Sequence, residues 1–220
     1  MPLLMIDLDN TLVDRDAAFR EAARAFLATG GLPVDDLAWL LSVDAGGYAP
    51  REDVARALVG RYGETVSGAA VREFLDRGAA DRVVPAPGVR EALGGAVGAG
   101  WTCVIVTNGR VAQQEAKIRR TGLDGIVHGW VVSEAVGCSK PAPEIFRAAA
   151  ATLGATLRGA WMIGDSPHAD IAGAAALDGV RSVWVSAGRP WTDGTCRPTH
   201  ITDDTASAIS YVVGRPVDAL

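Results

Sequence analysis

The sequence predicts an α/β protein: a parallel sheet covered by helices on both faces, with a helical block inserted after the first strand. Three observations carry this. From residue 89 onward, short apolar runs alternate with segments of helical period, which is the pattern of strand–helix–strand units. The runs are predominantly apolar, as strands buried on both faces are. Between residues 16 and 82 apolar residues recur at helical spacing and no strand pattern occurs.

The first run, residues 3–8, reads as a buried strand. After Asp14 the period changes, and Phe19, Ala22, Ala23, Phe26 and Leu27 mark a helix that Gly30-Gly31 ends. Shorter helices are expected around residues 37–41, 51–62 and 67–77, and Pro85-Ala86-Pro87-Gly88 breaks the pattern. Val89, Leu93 and Val97 then predict a helix, residues 101–107 a strand, 111–121 a helix and 130–133 a short strand. Pro143 suits the first turn of a helix over 143–153, where a missing N–H costs nothing. Residues 161–164 predict a strand, 169–177 a helix and 181–185 a strand. Residues 186–199, rich in Gly, Pro and Thr, read as a loop without an assigned role, and 205–213 as a closing helix. The expected division is a core of 1–14 and 85–220 and a helical insert of 15–84.

Composition narrows the class. With 49% hydrophobic and 21% charged residues the 220-residue chain is an ordinary globular mix and not a disordered one. A formal charge of −5 argues against general affinity for nucleic acid or anionic membranes. Cys103, Cys138 and Cys196 are odd in number and scattered, so neither a disulfide framework nor a zinc site is expected. The first residues lack the basic start and long apolar run of a signal peptide, and no run of about 18 apolar residues occurs. A cytoplasmic protein is expected, as monomer or homodimer.

Four clusters at predicted strand ends carry chemistry. In Asp7-Leu8-Asp9-Asn10-Thr11, an extended strand would turn Asp7 and Asp9 toward one pocket. Two close carboxylates stay ionised only if a cation or hydrogen bonds offset their repulsion, and magnesium suits oxygen ligands and substrate phosphate. One acid could attack phosphorus while the other moves protons. Thr107-Asn108-Gly109 offers a hydroxyl and an amide to phosphate oxygens ahead of a helix N-terminus. Lys140, in the loop Ser139-Lys140-Pro141, could neutralise nucleophile and phosphate together. In Gly164-Asp165-Ser166-Pro167-His168-Ala169-Asp170, Asp165 could complete a magnesium shell and Asp170 could hold Lys140 or a metal-bound water. Each cluster alone has a plainer account: strand-end turns, helix caps or a solvated lysine.

Together they agree. Asp-x-Asp-x-Thr, a strand-end Thr, a loop Lys and Gly-Asp-x-x-x-x-Asp, in that order, resemble the haloacid dehalogenase-like hydrolase superfamily. Thr107-Asn108-Gly109 with Gln114, Lys117 and Gly122-Leu123, and Lys140-Pro141 with Pro143 and Phe146, resemble its phosphatase members. The resemblance covers essentially the whole chain. It implies a Rossmann-like three-layer core with an inserted α-helical cap, and a phosphohydrolase acting on small phosphorylated metabolites. By the same resemblance Asp7 is the nucleophile that becomes an aspartyl-phosphate, and Asp9 the acid and base. Asp7, the Asp9 carbonyl and Asp165 are the magnesium shell. Thr107, the amide around Asn108, and Lys140 grip phosphate, while Thr11 and Asp170 support these groups from behind. In the insert, Tyr48 and Arg51 in Gly46-Gly47-Tyr48-Ala49-Pro50-Arg51 are the candidates for choosing substrate.

Other readings stay open. A phosphomutase would use the same core. A 2-haloacid dehalogenase is disfavoured by Asp9, and a non-catalytic binding protein by the presence of every motif acid and the lysine. The glycines of residues 94–100 precede a strand, so they are no dinucleotide fingerprint, and neither a P-loop nor Gly-x-Ser-x-Gly occurs. His128, His168 and His200 are scattered and suit surface or hydrogen-bonding roles, and Trp101, Trp130, Trp161 and Trp184 suit core packing.

Overall fold

The structure, a computed structural model, describes residues 1–215; residues 216–220 of the expected core lie outside the described residues. β1 (Leu3–Ile6) is followed by α1 (Arg15–Thr29), α2 (Leu37–Asp44), α3 (Arg51–Tyr62) and α4 (Gly68–Arg77). Next come α5 (Val89–Gly98), β2 (Thr102–Thr107), α6 (Val111–Arg120), β3 (Gly129–Val132), a single turn α7 (Ser133–Val136) and α8 (Pro143–Thr152). β4 (Trp161–Gly164) leads into a π-helical turn, Pro167–Ala172, continued by α9 (Gly173–Ala175). β5 (Arg181–Val185), β6 (His200–Thr202) and α10 (Thr205–Val213) complete the described chain. It forms two compact units, one of Met1–Val13 with the chain from Pro85, the other of Asp14–Val84.

The first unit is built on six parallel strands in the order β3-β2-β1-β4-β5-β6. All four side chains of β1 are buried, at 0–1% exposure, which is what a strand covered on both faces requires. Each such side chain contributes about 1.5–3 kcal/mol by leaving water. On one face Leu3 and Met5 join Val104, Val106 and Met162 under Ile145, Phe146 and Ala149 of α8. Leu4, Ile6, Cys103, Ile105 and Ile163 point the other way and are equally buried. There α5 and α10 pack on each other, α5 against β2 and α10 against β4. From β1 the chain steps outward through β2 to β3, then restarts on the other side of β1 at β4. That reversal opens a crevice beyond the carboxyl ends of β1 and β4, where ligands of such sheets bind.

Three details differ from the expectation. β6 was not anticipated: it is three residues long, and its one aliphatic residue, Ile201, is 44% exposed, so it has no periodic signal. α7 is a single turn and too short to register. The helix expected over 169–177 starts earlier, at Pro167, and starts as a π-turn. Ser166 caps it, its Oγ accepting from Ala169 N at 3.1 Å.

The second unit is helical. Asp14 caps α1 by accepting from Ala17 N at 2.9 Å. Phe74 of α4 stacks on Phe26 of α1 at 4.6 Å between centroids and tilts against Phe19 at 5.4 Å. Asp44, 1% exposed, takes two hydrogen bonds from buried Arg15 at 2.5 and 2.7 Å, and one from Gly47 N at 2.9 Å. This bidentate pair ties the end of α2 to the start of α1 and fixes the glycine turn after it.

Candidate active site

β1 delivers Asp7 to the crevice, where its N–H bonds Ile163 O of β4 at 2.9 Å. The strand ends at Ile6, so Asp9 does not extend it. Asp7 and Asp9 are therefore not placed by the side-to-side alternation of one extended strand that the sequence pattern predicts. Beyond Asp7 the chain winds around Leu8 O, which accepts from Thr11, Leu12 and Val13 N–H at 3.4, 2.9 and 3.0 Å. Asn10 takes φ 58°, a left-handed conformation that Asn tolerates better than most residues. The turn brings Thr11 Oγ1 back to donate to Asp7 Oδ2 at 3.3 Å.

Lys140 is buried among acids. Its Nζ donates to Asp7 Oδ1 at 2.6 Å and to Asp170 Oδ1 at 2.7 Å, and its side chain is 2% exposed. Asp170, fully buried, also accepts from Ser166 N at 3.0 Å through Oδ2. Its carboxyl lies against Gly164, where a Cβ would meet it at 2.2 Å, so the close approach requires glycine. Asp165 follows on the end of β4. Its carbonyl accepts from Trp184 Nε1 at 2.8 Å and from Arg189 Nη2 at 2.9 Å, and Arg189 also reaches Oδ2 at 3.3 Å.

Asp9 faces a different cation. Lys117 Nζ donates to both its oxygens at 2.8 and 2.7 Å, and Gln114 Nε2 lies 3.0 Å from Oδ2. Gln114 Nε2 is also 2.6 Å from Thr107 Oγ1. The Asn108 side chain is used on backbone: Nδ2 donates to Lys140 O at 3.0 Å and Oδ1 accepts from Lys140 N at 2.8 Å. It fixes the lysine loop, and the Asn108 carbonyl accepts from Gln114 Nε2 at 3.2 Å. Tyr48 and Arg51 lie in the helical unit; Tyr48 is 71% exposed, and Arg51 donates to Asp44 at 3.2 Å.

Ligand oxygens of Asp7, Asp165 and Asp170 lie within 4.8 Å of one another. Burial pushes the Asp7 carboxyl up to about 8; Lys140 opposes that, while Asp170 and Asp165 add to it. Burial likewise pushes Asp165 up to about 6, with Asp170 adding and Arg189 opposing. Burial works against the Lys140 ammonium, but Asp170 and Asp7 outweigh it and hold its pKa above the ordinary lysine range. An all-oxygen acid set that is strained by its own charge fits a hard divalent cation. Asp170 is fully buried, whereas the Asp7 and Asp165 side chains keep 10% and 14% of their surface exposed, so Asp7 and Asp165 are the carboxylates suited to hold one.

Sequence reasoning named Gln114 and Lys117 without a role and passed over Arg189. A helical Gln and Lys at i and i+3 look like a solvated face, and nothing in the sequence says that this face turns inward. Arg189 sits in a stretch without periodicity, so no pattern singles it out.

Residues 1–178 match the family described as hydrolase, haloacid dehalogenase-like hydrolase. A phosphoserine phosphatase of Thermus thermophilus is 38% identical over 40% of this chain; the matched stretch spans only 35% of that enzyme. A glyceraldehyde 3-phosphate phosphatase of Pyrococcus abyssi is 29% identical over 85% of this chain and 82% of its own. The hydrolase YfnB of Bacillus subtilis, solved bound to magnesium, superposes with a TM-score of 0.81 at 24% identity, over 97% of this chain and 99% of its own. None of the described helices is long and apolar enough to cross a membrane. Because the family match runs from the strand bearing Asp7 to beyond the turn bearing Asp165 and Asp170, the chain belongs to the haloacid dehalogenase-like hydrolases.

Proposed function

We propose that the protein is a magnesium-dependent phosphatase of small phosphomonoesters that works through an aspartyl-phosphate on Asp7. One observation carries the reading: the Asp7 carboxylate touches the Lys140 ammonium at 2.6 Å and shares a cluster with Asp165. That supplies nucleophile, fixed positive charge and ion ligands in one place, which is what phosphoryl transfer asks of a protein. The phosphatase names of two relatives support the reaction class and a small substrate.

An Asp7 oxygen forms a bond to phosphorus as the bond to the leaving oxygen breaks, and Asp9 gives that oxygen its proton. Asp9, now a carboxylate, takes a proton from water. The water oxygen bonds phosphorus, the Asp7 ester breaks, and inorganic phosphate leaves with both acids restored. Lys140 and the groups around Thr107 and Asn108 bind the phosphoryl oxygens. Thr11 orients Asp7 and Asp170 orients Lys140. Magnesium, held by Asp7, Asp165 and the Asp9 carbonyl, would supply Lewis-acid charge on the phosphate. The helical unit, 15–84 in the sequence reading and Asp14–Val84 as a compact body, would act as a cap, with Tyr48 and Arg51 its candidates for substrate choice.

Release of inorganic phosphate from p-nitrophenyl phosphate tests this. Turnover should need magnesium and stop on chelation, and Asp7→Asn should be inactive. An active Asp7→Asn enzyme would remove the covalent mechanism. Free phosphate from a panel of sugar phosphates would distinguish hydrolysis from a mutase that returns the group to its substrate.

A further inference from the structure

We propose that Gln114 and Lys117 of α6 are positioning residues that aim the Asp9 carboxyl and couple it to the phosphate-gripping end of β2. This rests on the reading of Asp9 as proton donor and acceptor. The two side chains are three residues apart and so share a helix face. Both are buried, at 2% and 5% exposure, although Gln and Lys normally face water. Lys117 spans both oxygens of Asp9 at 2.8 and 2.7 Å. Gln114 Nε2 sits within 3.2 Å of three acceptors: Asp9 Oδ2, Thr107 Oγ1 and Asn108 O. A single amide thus touches the acid after β1 and the hydroxyl and carbonyl at the end of β2.

A plain structural ion pair would tie α6 to the turn after β1 equally well. Its target argues for more. Asp9 sits in a turn beside a left-handed residue, where the backbone alone defines a side chain poorly, and proton transfer requires it within hydrogen-bond reach of the leaving oxygen. Gln114 and Lys117 both donate to Oδ2, so they hold the carboxyl by that oxygen and fix its rotation while Oδ1 carries the proton. A misplacement on the order of 1 Å is enough to slow such a step about a hundredfold.

The test exploits the leaving group. Nitrophenolate departs with little help from an acid, whereas an alkoxide needs its proton. Wild type, Lys117→Met, Asp9→Asn and the double variant are compared with magnesium on p-nitrophenyl phosphate and glycerol 1-phosphate. Lys117→Met is expected to lower kcat/KM, which reports phosphoryl transfer to Asp7 and not the later hydrolysis that both esters share, about 10- to 100-fold on the alkyl ester and less than about threefold on the aryl ester. In the Asp9→Asn background it should add no further loss on the aryl ester, because residues that act through one group are not additive. Equal losses on both esters, or a loss that persists in full without Asp9, would overturn the proposal and leave Lys117 a structural ion pair. Alkyl turnover unharmed by Asp9→Asn would instead sink the role given to Asp9. Should Lys117→Met fail to fold by circular dichroism, Lys117→Arg keeps the charge and displaces the donors. The same alkyl-selective loss is expected of it, and a uniform loss counts against the idea.

Discussion

Replacing Lys140 by methionine should destabilise the fold by an amount that grows with pH. The ammonium is 2% exposed and bridges Asp7 and Asp170 at 2.6 and 2.7 Å. Methionine fills similar space but donates nothing, so two buried carboxyls lose their cation. Removing one partner of a buried pair costs about 3–5 kcal/mol when the other remains charged. Asp7 can escape part of that cost by taking up a proton. In the wild type, burial already pushes it up to about 8 despite the pull of Lys140, and without the lysine it rises further. A carboxyl whose folded pKa lies above its unfolded value binds more protons folded than unfolded. Its stabilisation is therefore present below the unfolded value of 3.8 and is lost as pH rises through the folded one. The lysine in the wild type titrates only above this window. The two folded proteins differ in Asp7 protonation only above about pH 8, so urea unfolding followed by circular dichroism, with chelator present, at about pH 7 and about pH 10 should give a loss of about 1–2 kcal/mol at the lower pH and about 3–5 at the higher. A loss below about 1 kcal/mol at both, or an equal loss at both, would refute the view that this ammonium neutralises buried acids.

Two more outcomes follow from the same geometry. Gly164→Ala places a methyl 2.2 Å from the Asp170 carboxyl, which is itself pinned by Lys140 and Ser166. Overpacking of about 1–3 kcal/mol is expected together with reduced turnover, and a variant matching wild type in both Tm and kcat would show that Asp170 is free to move. The chelated wild type should lose stability as pH rises from about 4 toward 8, since Asp7 and Asp165 are raised by burial to about 8 and about 6. Magnesium binds the ionised acids, so it should raise Tm more at the top of that range than at the bottom; an equal or opposite shift by thermal denaturation would contradict the assignment of these acids as its ligands.

The sheet was legible because its strands are buried on both faces. Residues 3–6, 103–106 and 161–163 are unbroken apolar runs, as a covered parallel strand needs. β6 was illegible for the converse reason, being a three-residue edge strand with nothing to bury. Asp7 and Asp165 could be found because each follows such a strand directly, where the fold collects ligands. Lys140 needed the family pattern, since a loop lysine has no signature of burial. Lys117 and Gln114 show the limit most clearly. Their helix shows its buried Ile118 as an apolar position, but the polar partners of that inward face are decided by a turn more than 100 residues earlier in the chain. Side-chain charge pairs across such separations leave no periodic trace in one sequence.

The distribution of charge bears on where the proposed cation would sit. Asp7 and Asp170 share Lys140, and Asp9 has Lys117; both ammonium groups are buried and held below 3 Å. Among the described residues Asp165 is paired directly only with Arg189, whose side chain is 48% exposed and whose carboxylate contact is 3.3 Å, while Lys140 acts on it from farther off. A half-exposed guanidinium is screened by water and contributes little compensation. The protein's own positive charge is therefore thinner at Asp165 than at the other acids of the cluster, and burial pushes up both Asp165 and its neighbour Asp7. A divalent ion there would answer an imbalance the chain leaves standing, and it would do so without displacing Lys140 or Lys117. The main-chain contacts of Trp184 and Arg189 to the Asp165 carbonyl then acquire a purpose: they fix the backbone of the one site acid whose side chain the fold leaves weakly paired, so that its carboxylate can turn to an ion while its position does not.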